Sequence, residues 1–421
     1  MPRLSVSGST RVRYEIIEGQ PRAGFNDSDD LLSVRTTLAA QWTDAQWTIM
    51  GEVYDSRAYL ADRGAPLTTG EVNAVELVQA YVGRTVPLAS KATLSLQAGR
   101  MMLNLGSRRL VAADDYRNTT NSYTGVRADL KIANGWSGTA IYKLPQQRLP
   151  DRSDSLRRNA VRIDRESFDL VLWGGLLTKA NVLSAVSVEA SFFHLGERDS
   201  PRLATRDRAL DTFGLRVFED PKARHFDYDV EAFIQHGRAS PSTTATSSRA
   251  QVSASFVHAE IGYSWASGWK PRLSIEYDRA SGDAPGGRIG RFDTLFGMRR
   301  AELAPSGLYN AVGRANMSSP ALRLEVTPDK RSDAFLSFRP LFLAERTDAF
   351  STTGVRDQTG RAGRYAGEQI DARLRYWMIP KHVRLEVDGV YLRKSRFWRI
   401  APNAPNSADT RYLSFNMTAS F

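Results

Sequence analysis

Asp409-Thr410-Arg411-Tyr412-Leu413-Ser414-Phe415-Asn416-Met417-Thr418-Ala419-Ser420-Phe421 ends the chain. Leu413, Phe415, Met417, Ala419 and Phe421 alternate with small or polar residues, so one face of an extended strand is apolar up to a terminal aromatic. A last transmembrane β-strand has this pattern, because one face meets lipid and the other a wet lumen. A soluble sandwich strand alternates in the same way, so the rest of the chain must decide between them.

Alternating stretches recur at 3–17, 31–42, 46–56, 74–85, 92–102, 122–131, 135–145, 166–178, 184–195, 211–219, 225–236, 250–265, 271–281, 313–327, 333–345, 368–378, 382–397 and 409–421, eighteen in all. The short links are 43–45, 86–91, 132–134, 179–183, 220–224, 266–270, 328–332 and 379–381. The long ones are 18–30, 57–73, 103–121, 146–165, 196–210, 237–249, 282–312, 346–367 and 398–408, and the two classes alternate strictly. Bacterial outer-membrane barrels have short periplasmic turns, long external loops and an even strand number. The pattern therefore predicts an all-β fold, one transmembrane antiparallel β-barrel of 18 strands over residues 1–421, in the bacterial outer membrane. Soluble sandwiches and β-helices do not produce the long/short rhythm. Arg108-Arg109-Leu110-Val111 also looks extended; as a strand it would make the count odd, so it is placed in a loop folding towards the lumen.

Composition agrees. Mean hydropathy is −0.38, and no apolar run of about 18 residues exists, which excludes a helical membrane protein. There is no cysteine, hence no disulfide framework, thiol nucleophile or cysteine-ligated metal. The chain enters a strand at once after Met1-Pro2-Arg3, and is read as a mature form whose signal peptide has been removed.

Several strands sort cleanly into faces. Phe226, Tyr228, Val230, Ala232 and Ile234 oppose Asp227, Asp229, Glu231 and Gln235. Ile370, Ala372, Leu374, Tyr376 and Met378 oppose Gln369, Asp371, Arg373, Arg375 and Trp377. The charged sets must face the lumen, because an Arg at the bilayer midplane costs roughly 2–4 kcal/mol. By the same rule Val126, Ala128 and Leu130 face lipid and Arg127, Asp129 and Lys131 do not; Val12, Tyr14 and Ile16 face lipid and Arg11, Arg13 and Glu15 do not. Trp42, Trp47, Trp136, Trp265 and Trp269 lie near strand ends and read as interfacial girdle residues.

The formal net charge of +11 points to an anionic partner. The inward sets mix Glu52, Glu189, Asp229, Glu276, Glu325 and Glu386 with Arg35, Arg216, Arg272, Arg323, Arg339 and Arg384, as expected of a structural ion-pair ladder. The excess lies in loops: Arg288, Arg291, Arg299 and Arg300 against Asp293; Arg393, Lys394, Arg396 and Arg399 with no acid; and Arg100, Arg108, Arg109 and Arg117 against Asp114 and Asp115. At the mouth such clusters form a cationic funnel that concentrates anions. External guanidinia can instead bridge lipopolysaccharide phosphates.

Gly99-Arg100, then Leu105-Gly106-Ser107-Arg108-Arg109-Leu110-Val111, then Tyr123-Thr124-Gly125-Val126-Arg127-Ala128 resemble the alginate-export family of outer-membrane porins. Ser281-Gly282-Asp283 leading to Gly290-Arg291-Phe292-Asp293-Thr294-Leu295-Phe296, and Gly367-Glu368-Gln369-Ile370-Asp371, follow in that family's order. The resemblance covers residues 99–421; the N-terminal quarter shares only the strand pattern. It implies a monomeric 18-stranded barrel whose arginine-rich constriction conducts an anionic polysaccharide outward. By position, Arg100, Arg108, Arg109, Arg127 and Arg291 belong to the candidate substrate path, with Arg373 and Arg375 as additions. The acids on the lumen wall depart from a strongly electropositive pore, and uptake of uronates or other small organic anions would use the same architecture.

No cofactor is required by passive transport. The histidines His194, His225, His236, His258 and His382 show no HExxH context, and GxSxG, P-loop and zinc spacings are absent. An enzyme is therefore not expected, and a plugged adhesin or scaffold is the remaining alternative. Nucleic acid is not expected as a partner, since the bases lack a helix or sheet reader. Outer-membrane lipid and lipopolysaccharide are, and secretion partners would dock on the periplasmic turns.

Overall fold

The computed structural model describes residues 2–88, 91–200, 203–244, 247–299 and 302–421. The strands are β1 (Arg3–Glu18), β2 (Asp29–Thr43), β3 (Trp47–Tyr59), β4 (Asn73–Pro87), β5 (Thr93–Met101), β6 (Tyr123–Lys131), β7 (Trp136–Pro145), β8 (Leu170–Leu183), β9 (Val186–Glu197), β10 (Ala209–Glu219), β11 (Phe226–Ala239), β12 (Ala250–Ser264), β13 (Arg272–Ala280), β14 (Met317–Val326), β15 (Ser332–Phe342), β16 (Tyr365–Ile379), β17 (Val383–Lys394) and β18 (Thr410–Ser420). Each pairs antiparallel with its sequence neighbours, and β1 closes on β18 with Tyr14 opposite Phe415 and Ile16 opposite Leu413. The barrel is closed, and the strand count read from the alternation is the one observed.

Several boundaries differ from the sequence reading, those of β14, β17 and β8 among them. β14 begins at Met317 rather than 313, because Asn316 adopts a left-handed backbone and its side chain bonds the 343–364 loop at Glu345. β17 stops at Lys394, because Ser395 caps a one-turn helix, α1 (Arg396–Ile400), by accepting from Phe397 N. β8 starts at Leu170 and runs on to Leu183, through a register irregularity after Lys179. Residues 166–169 thus belong to an external segment.

Outward faces are apolar as expected: Phe226, Ile234, Leu374, Met378, Phe415 and Met417 are exposed, whereas Asp227, Glu231, Gln369, Asp371 and Asn416 are buried inside. The five tryptophans flank short turns, and Tyr59, Tyr365 and Tyr391 mark the opposite rim. The external half of the bore is filled by the inward-folded long loops. Leu103, Leu110, Val111, Leu308, Tyr309, Phe350 and Phe397 share one buried apolar cluster with strand residues. Phe292 stacks there on Phe256 and Phe233 at 5.6 and 6.3 Å.

Candidate functional site

Residues 102–122, linking β5 to β6, cross the lumen as a strap. At one end the inward arginines of β1 and β2 hold its carbonyls. Arg11 donates to Asp115 O at 3.0 Å and Arg117 O at 2.7 Å, Arg35 to the same two at 3.3 and 3.2 Å, and Arg13 to Tyr116 O at 2.7 Å. At the other end buried Arg109 meets Glu231 at 2.7 Å and Asp229 at 3.0 Å on β11, and Glu302 of the 281–316 loop at 2.5 Å. Ser107 Oγ donates to Glu231 at 2.7 Å. β2 and β11 stand nine places apart in the ring of eighteen, so the strap spans the bore.

Its middle forms a parallel bridge with the 281–316 loop. Phe296 N donates to Leu110 O at 2.9 Å, Ala112 N to Phe296 O at 3.1 Å, and Met298 N to Arg108 O at 3.0 Å. Gly297 lies so close that a Cβ there would stand 1.8 Å from Arg109 O. The inward placement read for Arg108–Val111 is therefore met by a loop, held at both ends and in the middle.

The two walls joined by the strap differ in charge. On the β10–β15 side every inward-facing arginine is matched by carboxylates: Arg216 meets Asp229 at 2.7 Å, Arg272 meets Asp227, Glu260 and Glu325, Arg323 meets Glu325 at 2.9 Å, and Arg339 meets Glu276 and Asp278 at 2.7 and 2.8 Å. A cavity of about 260 Å³ opens here towards the periplasmic turn at 220–225. Eight carboxylates and four guanidinia line it, so it is acidic. His258, Asp278 and Glu302 offer donor atoms within 4.8 Å of one another. Their oxygens already serve His258, Arg339, Arg109 and Arg314, which makes the group an ion-pair network rather than a metal site.

On the β1–β2 side, Arg11, Arg13 and Arg35 form no ion pair with any described carboxylate. Four loops, the strap among them, add Arg22, Arg117, Arg148 and Arg299. Arg117 and Arg148 both donate to Asn121 Oδ1, at 3.3 and 2.6 Å, and Arg117 pairs with Asp114 at 2.8 Å. Burial and then the neighbouring Arg117 lower both Arg148 and Arg299 to about 10. A buried Nη of Arg22 has no partner among the described residues. Four like charges thus converge near three carboxylates, Asp114, Asp164 and Glu71, an excess that an anion completes.

The arginines singled out in the sequence are dispersed. Arg100 sits at the external end of β5 between Glu76 and Glu166, at 2.7 and 2.8 Å. Arg109 anchors the strap; Arg108, beside it, has no side-chain partner among the described residues. Arg127 chelates Asp129 two residues along its own strand at 2.7 Å. Arg291 ties the 281–316 loop to Asp348 at 2.8 Å, and Arg373 and Arg375 share Asp333 at 3.0 and 2.9 Å. Arg300 lies outside the described residues. Arg22 is the lone base of its loop and Arg148 is one of six arginines in the 146–169 loop, so neither carries a sequence signal of its own and each joins the cluster only in three dimensions.

A family model described as alginate export matches residues 3–405. The chain belongs to the alginate-export family. No curated protein matches it. Among solved structures it is similar to Pseudomonas aeruginosa OpdL (TM-score 0.62, 11% identity, covering 99% of this chain and 98% of that one). It is also similar to P. aeruginosa OccK8, or OprE (0.61, 11%, 99% and 98%), and to P. aeruginosa OpdK with vanillate (0.58, 10%, 99% and 98%). At such identities the likeness shows the fold alone. Family and fold together make this chain a β-barrel channel of the bacterial outer membrane.

Proposed function

We propose that this chain is a passive, anion-selective channel that conducts an alginate-like polyuronate outward along the arginine side of the strap, with a single chain as the conducting unit. The observation carrying this reading is the set Arg11, Arg13 and Arg35, which holds peptide carbonyls and no described carboxylate, next to the loop guanidinia Arg117, Arg148 and Arg299. Carbonyl dipoles satisfy the donors without cancelling the charge, so the field remains for a passing carboxylate. Such contacts must stay weak and serial if solute is to leave. No step requires a cofactor or a catalytic group.

The strap favours a second reading, uptake of small carboxylates, since it narrows the bore across its full width; one solved barrel of similar fold holds vanillate. Planar-bilayer conductance with polyuronate and monomeric uronate as blockers separates the two. Block by polymer at far lower uronate concentration supports the polymer path. Equal block per uronate supports the small-anion path, and cation selectivity or no conductance defeats both.

A further inference from the structure

A second cationic site lies outside the bore, at the external rim. Its height is set by β3. Val53 is the last apolar outward side chain of that strand; Asp55 and Arg57, next on the same face, pair at 2.9 Å. Charges on a lipid-facing strand belong at the interface, so the hydrocarbon ends here. Tyr59 and Leu60 follow, at headgroup level.

The 146–169 loop is pinned to this level. Asn159 accepts from Ala58 N at 2.8 Å and donates to Ala58 O at 2.9 Å, and Arg157 donates to Ala61 O at 3.0 Å. Further along, Asp164 accepts from Asn73 on β4 at 2.7 Å. Between the two loops is a cleft of about 510 Å³ walled by Arg63, Arg157 and Arg158, with Asp154 as its one acid. The side chains of Arg63, Arg158 and Arg162 have no hydrogen-bond or ion-pair partner among the described residues. Leu60, next in sequence to the Ala61 that Arg157 bonds, and Val161 and Ile163, which flank Arg162 in sequence, are 57%, 54% and 72% exposed.

Unpaired guanidinia interleaved with bare aliphatic side chains, at headgroup height, match a ligand carrying both phosphate and acyl chains. We propose that this cleft binds a phosphorylated, acylated glycolipid of the outer leaflet, of the lipid A class, with Arg63, Arg158 and Arg162 on phosphate and Leu60, Val161 and Ile163 on the first acyl carbons. The site is separate from the transport path, so neither proposal depends on the other.

The test is native mass spectrometry of the full chain in detergent, titrated with bisphosphorylated lipid A, with its dephosphorylated form, and with inorganic phosphate. Bisphosphorylated lipid A should bind at least tenfold more tightly than either control. Arg63→Gln with Arg158→Gln and Arg162→Gln should weaken it about tenfold, and Val161→Ser with Ile163→Ser severalfold, with single-channel conductance unchanged in both. Equal binding of dephosphorylated lipid, or an unchanged affinity in the arginine variant, would overturn the proposal. Phosphate binding as tightly as lipid A would reassign the cleft to a free anion and overturn the lipid assignment.

Discussion

The two walls of the lumen use the same side chain to opposite effect. On the β10–β15 wall each inward guanidinium meets carboxylates, and the cavity below the strap is left acidic. On the β1–β2 wall the guanidinia bond carbonyls and form no ion pair with a described carboxylate, so the nearby Glu15, Glu386 and Asp388 offset their charge only in part. Two unit charges 4 Å apart interact by about 4 kcal/mol at an effective dielectric of 20, so whether the partner is a charge or a dipole outweighs the number of arginines. Selectivity should follow unneutralised arginine, not total arginine.

The largest effect should come from Arg109. Arg109→Met leaves Asp229, Glu231 and Glu302 with a buried excess of negative charge, a loss of about 3–5 kcal/mol for a broken buried pair. Thermal unfolding in detergent should drop accordingly and conductance should rise as the strap loosens. Unchanged stability would mean that the ion pairs do not hold the strap.

Next, Arg148→Gln with Arg299→Gln should cut the anion-to-cation permeability ratio on the order of tenfold, read from reversal potentials in a salt gradient. An undiminished ratio would remove the distinction between the walls.

A smaller effect concerns pH. Burial, followed by the Glu76 carboxylate, raises Asp164 to about 7. The folded state therefore holds this proton more tightly than the unfolded chain, and its contribution is full below the ordinary carboxyl range near 4. It fades as pH rises through about 7. The thermal unfolding midpoint in detergent should fall over that window in wild type, and that fall should be absent in Asp164→Asn.

The smallest change is expected for Arg127→Gln. Its pair with Asp129 is partly exposed, so stability should shift by no more than about 1 kcal/mol and the permeability ratio should stay within twofold, roughly, of wild type. A loss as large as that of the Arg148/Arg299 variant would show that pairing does not silence an arginine.

Alternation along Leu413–Phe421 and its seventeen counterparts was enough to predict strand number and faces, because a strand's side chains obey a period of two and lipid forbids charge on one of its two faces. Arg373 and Arg375 could be placed inward on that ground alone, as could Arg11 and Arg13. Their partners could not be named. Arg109 reaches carboxylates 120 and 122 residues away, and Arg117, Arg148 and Arg299 come together from three loops. Local periodicity specifies which face a residue takes. Which charge it meets across a lumen depends on barrel closure and loop path, and those are decided only when the whole sheet has curled and its loops have folded in.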